Sequence, residues 1–254
     1  MPRPEADDRQ VSAAPDAAAA DIAGALLVKW TAGAANFHLD GTSDWSVSSD
    51  TIRFLAAHTP ADGATLETGA GLSTVLFAAL GSRHICVCPD RTEADRILAY
   101  CEAEGIAASG LKFLIGLSEN TLPALDAAPL DLVLIDGGHG FPIPVIDWYY
   151  TASKLKLGGI LVIDDTHLWS CGLLVDFLKH DPAWTSLGRI GRRTFAFRKV
   201  AAFGYKEFDL QPYVMRKSRF PSLAAHALVA WDLLRAGDAA KFFRRSLRAV
   251  KRNR

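Results

Sequence analysis

The 254-residue sequence is poor in sulfur, with two methionines and four cysteines. Cys86, Cys88, Cys101 and Cys171 form no Cys-x-x-Cys pair and no disulfide-like spacing, so they read as small core residues of a reducing compartment. Net charge is absent too: 28 Lys/Arg balance 28 Asp/Glu, and the whole chain is no general polyanion binder. No run approaches the roughly 18 consecutive apolar residues of a membrane span. Met1–Ala20 lacks the basic start and apolar middle of a secretory signal. A cytoplasmic location is the expectation.

What is present is ordinary globular composition, 50% hydrophobic and 22% charged, which excludes wholesale disorder. The neutral total hides a split, because from Gln211 onward eleven Lys/Arg face two Asp. An acidic body carries a basic tail. Residues 1–21, rich in Ala, Asp and Pro, read as an unstructured leader. Residues 22–200 read as one domain and 201–254 as a basic helical appendage.

From Ala64 strands and helices alternate. Strand-like runs fall at Thr65–Glu67, His84–Cys88, Leu111–Ile115, Asp131–Asp136 and Gly159–Asp164. Helices are expected at Ser49–His58, Ser73–Leu80, Thr92–Glu104, Ser118–Leu125, Pro144–Leu155 and Gly172–Lys179. Continuous apolar strands separated by helices predict an α/β fold, a parallel sheet covered on both faces. Trp184–Ile190 and Thr194–Lys199, joined by Gly191-Arg192-Arg193, predict a closing hairpin.

Glu67-Thr68-Gly69-Ala70-Gly71-Leu72-Ser73-Thr74 lies between the first strand and a helix. Its glycines permit a tight turn and close ligand approach, and the helix N-terminus offers amides to an anion. A dinucleotide fingerprint would place a third glycine where Thr74 stands. Glu67 before the loop and Asp90, about twenty residues past it, are suited to an ammonium group and a ribose diol. S-adenosylmethionine carries both, together with a carboxylate for the helix amides.

These residues resemble the class I S-adenosylmethionine-dependent methyltransferases over roughly residues 45–200. The likeness rests on the glycine loop and Pro89-Asp90, then on Gly116-Leu117-Ser118-Glu119, Leu134-Ile135-Asp136-Gly137-Gly138-His139 and Leu157–Asp165. It implies a Rossmann-like, doubly wound seven-stranded sheet, mostly parallel with an antiparallel last strand and helices on both faces. It also implies that Glu67, Gly69 and Gly71 lie near the methionine moiety and Ser73 near its carboxylate. Asp90 would hold the ribose and Ser118 would lie beside the adenine, with Asp136 at the same cleft.

Asp136, Asp164 and Asp165 end the fourth and fifth strands, and carboxylates that close would repel unless a cation sits among them. An oxygen-rich set suits Mg²⁺ or Ca²⁺ better than zinc. The pattern resembles the metal-dependent catechol-type and natural-product O-methyltransferases, which implies Asp136, Asp164 and Asp165 as metal ligands. Asp136 and His139 would be the catalytic residues, with His167 a second candidate base. The residues alone also allow plainer roles, a turn at Asp136-Gly137 and helix caps at Asp164 and Asp165.

The expected activity is methyl transfer to a small-molecule hydroxyl: a phenol, a sugar or a natural product. A nicotinamide-dependent (NAD) oxidoreductase and a non-catalytic cofactor-binding protein are the alternatives. The tail, Ser222–Arg254, interleaves apolar residues with Arg244, Arg245, Arg248 and Lys251. It is expected to dock on its own domain, on a second subunit of a homo-oligomer or on an anionic surface. It shows no motif that reads nucleic acid.

Overall fold

A computed structural model describes residues 17–31, 47–202, 204 and 206–235. The chain divides into two compact units, Met1–Gly204 and Tyr205–Arg254. In the first, helices α1 (Ala17–Thr31) and α2 (Ser49–His58) precede a strand–helix series. The series runs β1 (Ala64–Thr68), α3 (Leu72–Ala79), β2 (Arg83–Cys88), α4 (Arg91–Ala103) and β3 (Leu111–Ile115). It continues with α5 (Ser118–Thr121), β4 (Leu130–Ile135), α6 (Ile143–Ala152), β5 (Leu155–Ile163) and α7 (Trp169–Leu178). The hairpin β6 (Trp184–Ile190) and β7 (Thr194–Lys199) closes the sheet.

The seven strands lie in the order β3-β2-β1-β4-β5-β7-β6. Neighbours from β3 to β5 are parallel, and β7 runs antiparallel to both β5 and β6. Period-two alternation loads the two faces. Leu132, Leu134, Ile160 and Val162 face the core packed by α1 to α4, whereas Val133, Ile135, Leu161 and Ile163 face the core of α6 and α7. This is the doubly wound sheet expected from the sequence, with helices on both faces.

Three boundaries move for local reasons. The leader expected over residues 1–21 ends sooner, because α1 begins at Ala17 and buries Ala19 and Ala23; residues 1–16 lie outside the described residues. The helix expected to Leu125 leaves α geometry after Thr121, where Pro123 lacks an amide and a 3-10 turn spans Leu122–Ala124. Leu155 opens β5 instead of ending a helix, because it pairs with Leu130 ahead of an irregularity in the β4–β5 register.

The second unit contains helix α8 (Pro212–Arg235). Arg244, Arg245, Arg248 and Lys251, which define the expected basic face, lie outside the described residues. No helix among the described residues is long and apolar enough to cross a membrane.

Candidate active site

β1 stands between β2 and β4, so chain order reverses there and a crevice opens at the strands' carboxyl ends. Gly69 makes the first turn out of β1 with φ +89, and its amide donates to Val87 O at 3.0 Å. A Cβ on Gly69 would lie 2.3 Å from the carbonyl oxygen of Asp136, so glycine is needed both for conformation and for space. Across the crevice the Asp136 amide donates to Thr68 O at 3.1 Å. The ends of β1 and β4 are therefore locked together at the loop.

Beneath the loop lies a buried polar row. Thr74 donates its hydroxyl proton to Glu67 Oε1 and accepts from the Gly71 amide at 3.0 Å. His84 Nε2 lies 3.0 Å from the same Glu67 oxygen, and its Nδ1 lies 2.8 Å from Thr65 Oγ1. Thr74, standing where a dinucleotide site would have a third glycine, thus ties the first turn of α3 to β1 and β2. Glu67, His84 and Cys86 are close enough to form a metal-like group, but all three are buried inside this network.

A cleft of about 680 Å³ opens above the row. Of the residues expected at the site, Gly69, Ser118, Asp136, His139, Asp165 and His167 line it. Glu67, Gly71, Ser73, Asp90 and Asp164 do not. Glu67 is committed below the loop, Gly71 caps α3, and Ser73 is buried in the first turn of that helix. Asp90 caps α4, its carboxylate accepting from the Thr92 amide at 2.9 Å. The acid that lines the cleft from that helix is Glu93, one turn further on.

At the other end the carboxylates do converge, with a different membership from the expected metal set. Asp164 is wholly buried; its Oδ1 accepts from Thr194 at 2.5 Å and its Oδ2 lies 3.5 Å from Arg193 Nε. Asp136, His139 and Asp165 instead bring one ligand atom each within 4.8 Å of one another. His139 Nε2 lies 3.0 Å from Asp165 Oδ2, and Ser170 donates to the His139 carbonyl. His167 Nδ1 lies 3.7 Å from Asp165 Oδ1, and Arg193 Nη1 lies 3.4 Å from that oxygen. Burial holds the Asp136 carboxyl well above the usual carboxylate range, and Asp164, Asp165 and Glu67 add to the rise while Arg193 opposes it.

Arg193, Glu93 and Thr68 line the cleft without having been singled out from the sequence. Asp90-Arg91-Thr92-Glu93 has the spacing of a helix capping box, a signal that would have assigned Asp90 to the helix start. Arg193 sits in the hairpin turn and arrives through the pairing of β5 with β7; its carbonyl accepts from both the amide and the hydroxyl of Thr166 at 2.7 Å. Of the aromatics after His139, Trp148 is buried whereas Phe141 and Tyr149 are exposed.

Residues 66–166 match the family model described as a methyltransferase domain. No curated protein sequence matches the chain. Among solved structures, the chain is similar to the O-methyltransferase TomG from Streptomyces achromogenes, solved with SAM. Identity is 18%, covering 73% of this chain and 91% of that one, with a TM-score of 0.53. Cofactor-bound Rv0187 from MTB is 21% identical over 72% of this chain and 91% of that one, with a TM-score of 0.55. SAH-bound methyltransferase PaMTH1 from Podospora anserina is 16% identical over 77% and 91%, with a TM-score of 0.51. The match over residues 66–166, the strand order and the glycine loop agree with one another: this stretch of the chain is similar to a methyltransferase domain, and the fold is that of the solved methyltransferase structures.

Proposed function

We infer that the domain methylates a hydroxyl oxygen of a small molecule, with the acceptor bound at the acid–histidine end of the cleft. The reading is carried by the convergence of Asp136, His139 and Asp165 beside the cofactor loop. The O-methyltransferase named among the similar structures is in keeping with it.

Two carboxylate oxygens and one imidazole nitrogen fit a hard divalent cation such as Mg²⁺ or Ca²⁺ only in part, since the nitrogen favours a softer ion. Asp136, His139 and Asp165 would hold the cation, and Asp164 would stay with Thr194 and Arg193. When bound, the cation would lower the pKa of the acceptor hydroxyl and fix its direction. S-adenosylmethionine, when bound, would supply an electrophilic methyl to the acceptor oxygen, the electron pair of the broken carbon–sulfur bond leaving with sulfur. Gly69 and Gly137 let the ends of β1 and β4 approach each other closely where both line the cleft. His139 is engaged through Nε2 by Asp165, so the second candidate base becomes the better one. His167 lines the cleft, its side chain 57% exposed beside that same carboxylate, and would take the hydroxyl proton.

The test is transfer of labelled methyl from S-adenosylmethionine to a panel of phenols, sugars and hydroxylated natural products, with Mg²⁺ and with EDTA. Transfer that EDTA abolishes and Mg²⁺ restores supports the full reading. Transfer indifferent to EDTA removes the cation, and transfer confined to nitrogen or carbon acceptors removes the oxygen chemistry. His167→Ala should lower kcat more than KM, and rescue by added imidazole would identify the missing group as a base.

A further inference from the structure

Arg193 meets the acids that end β5 with both its backbone and its side chain. Its guanidinium lies across the pair, with Nε 3.5 Å from Asp164 Oδ2 and Nη1 3.4 Å from Asp165 Oδ1. Its carbonyl accepts from the amide and the hydroxyl of Thr166, the residue that follows Asp165. Asp165 itself has a φ of 51, a left-handed conformation that an aspartate tolerates at some cost. The hairpin turn that carries Arg193 lies against α2, where a Cβ on Gly191 would come within 2.9 Å of Asp50 Oδ2. The guanidinium is thus delivered to the acids by backbone fixed on two sides.

That placement gives the acidic rim a cation of its own. Asp165 Oδ2 faces His139 Nε2 at 3.0 Å, while Oδ1 faces Arg193 and, at 3.7 Å, His167 Nδ1. Asp164 is wholly buried and the Arg193 side chain is 30% exposed, so water and salt screen the attraction little. A guanidinium keeps its charge at any pH the fold survives. A divalent ion entering among Asp136, His139 and Asp165 would therefore meet a positive charge already 3.4 Å from one of its ligands. Charges of like sign that close repel, and both compete for one carboxylate.

Resting on the cation reading above, we propose that Arg193 is a positioning residue, a tethered counter-ion that pairs with Asp165 and is displaced from it when a divalent cation binds. Arg193 then sets the affinity of the site without being one of its ligands, and it keeps that affinity low. Removing the guanidinium leaves the acids uncompensated and tightens cation binding. A purely structural role predicts the opposite sign, because loss of the side chain would loosen the segment that carries Asp165 and weaken binding.

Titration with Mn²⁺ at neutral pH, the free ion counted by its electron paramagnetic resonance signal, tests this on the unaltered protein, Arg193→Met and Arg193→Lys, with neither S-adenosylmethionine nor acceptor added. Arg193→Met should bind Mn²⁺ more tightly than the unaltered protein by about tenfold or more, and Arg193→Lys, which keeps the charge, should stay within about threefold of it. Adding Asp165→Asn to Arg193→Met should abolish the gain. Unchanged or weaker binding by Arg193→Met, or a gain that survives Asp165→Asn, overturns the proposal. Should Arg193→Met fail to melt cooperatively, the unaltered protein carries the test through the Arg193 Nε–H resonance, assigned by its loss in Arg193→Lys. Saturating Mg²⁺ should shift that resonance, and an unmoved one overturns the proposal. Binding of Mn²⁺ by none of these proteins would overturn the cation reading itself, and this inference with it.

Discussion

Replacing Gly69 with alanine puts the locked ends of β1 and β4 to a direct test. At φ +89 an L-residue is strained by about 1–2 kcal/mol. The new methyl would also meet the carbonyl oxygen of Asp136 at 2.3 Å and its carbonyl carbon at 2.9 Å. Those atoms belong to backbone held by the Asp136-to-Thr68 hydrogen bond, so they cannot rotate away, and forced repacking adds about 1–3 kcal/mol. A total of about 2–5 kcal/mol in a domain of this size lowers Tm by on the order of 10 °C. Gly71 is the control, since its φ of 168 is ordinary extended backbone and a Cβ there meets nothing within 4 Å. Gly71→Ala should stay within about 0.5 kcal/mol of the unaltered protein. Thermal and urea denaturation of both variants, followed by titration with S-adenosylhomocysteine, would measure the contrast. A Gly69→Ala protein melting within a degree of its parent, or a Gly71→Ala protein equally damaged, would refute the reasoning.

Other perturbations separate helix capping, cleft contact and burial. Asp90→Ala should cost about 1 kcal/mol in urea denaturation through loss of the α4 cap, with little change in S-adenosylhomocysteine affinity. Glu93→Gln should show the opposite pattern; a larger affinity loss at Asp90 than at Glu93 would restore the acid after β2 to the ribose. Asp147 has its folded pKa raised to about 6 from 3.8, so its ionisation opposes folding. The protein should lose about 3 kcal/mol, relative to Asp147→Asn, as pH rises from roughly 4 to 7. A constant difference between the two across that range would contradict the burial. Desolvation lifts the Cys88 thiol to about 12 and the Cys171 thiol to about 11, and pushes Cys86 and Cys101 upward as well. A thiol reagent at pH 8 should find no reactive cysteine in the native protein and four after denaturation.

The fold was legible because each crossover is short and each strand sits in a different hydrophobic rhythm from its helix. Ser49–His58 and both strands of the hairpin fall where the sequence places them, the hairpin marked by glycine and arginines at its turn, while the cap of the helix is Ser48, one residue before the expected start. His139 and Asp165 were legible as chemistry-bearing groups at strand ends. Their pairing, and the withdrawal of Asp164 into the core, were not, since both acids lie just past the end of β5 and Asp165 turns with a φ of 51, so the direction of each depends on what packs behind. Asp90 illustrates a different limit: one acid at a strand end serves a ligand or a helix start equally well, and only the three-dimensional rim decides. Asp147 was hidden inside an aromatic helical run, where the direction of a side chain is set by neighbouring elements and leaves no local trace. Arg193 reaches the acids only because β7 folds back along β5.

That last arrangement bears on how the protein is made. The strands that supply Asp136 and Asp165 leave the ribosome well before residue 193, and β5 has no outer neighbour until β7 docks antiparallel along Ile160–Ile163. A nascent chain that ends near Asp165 exposes a bare sheet edge next to mutually repelling acids. Arrival of the hairpin covers the edge and delivers the guanidinium in one event. Completion of the acidic rim and closure of the sheet are thus a single late step of synthesis.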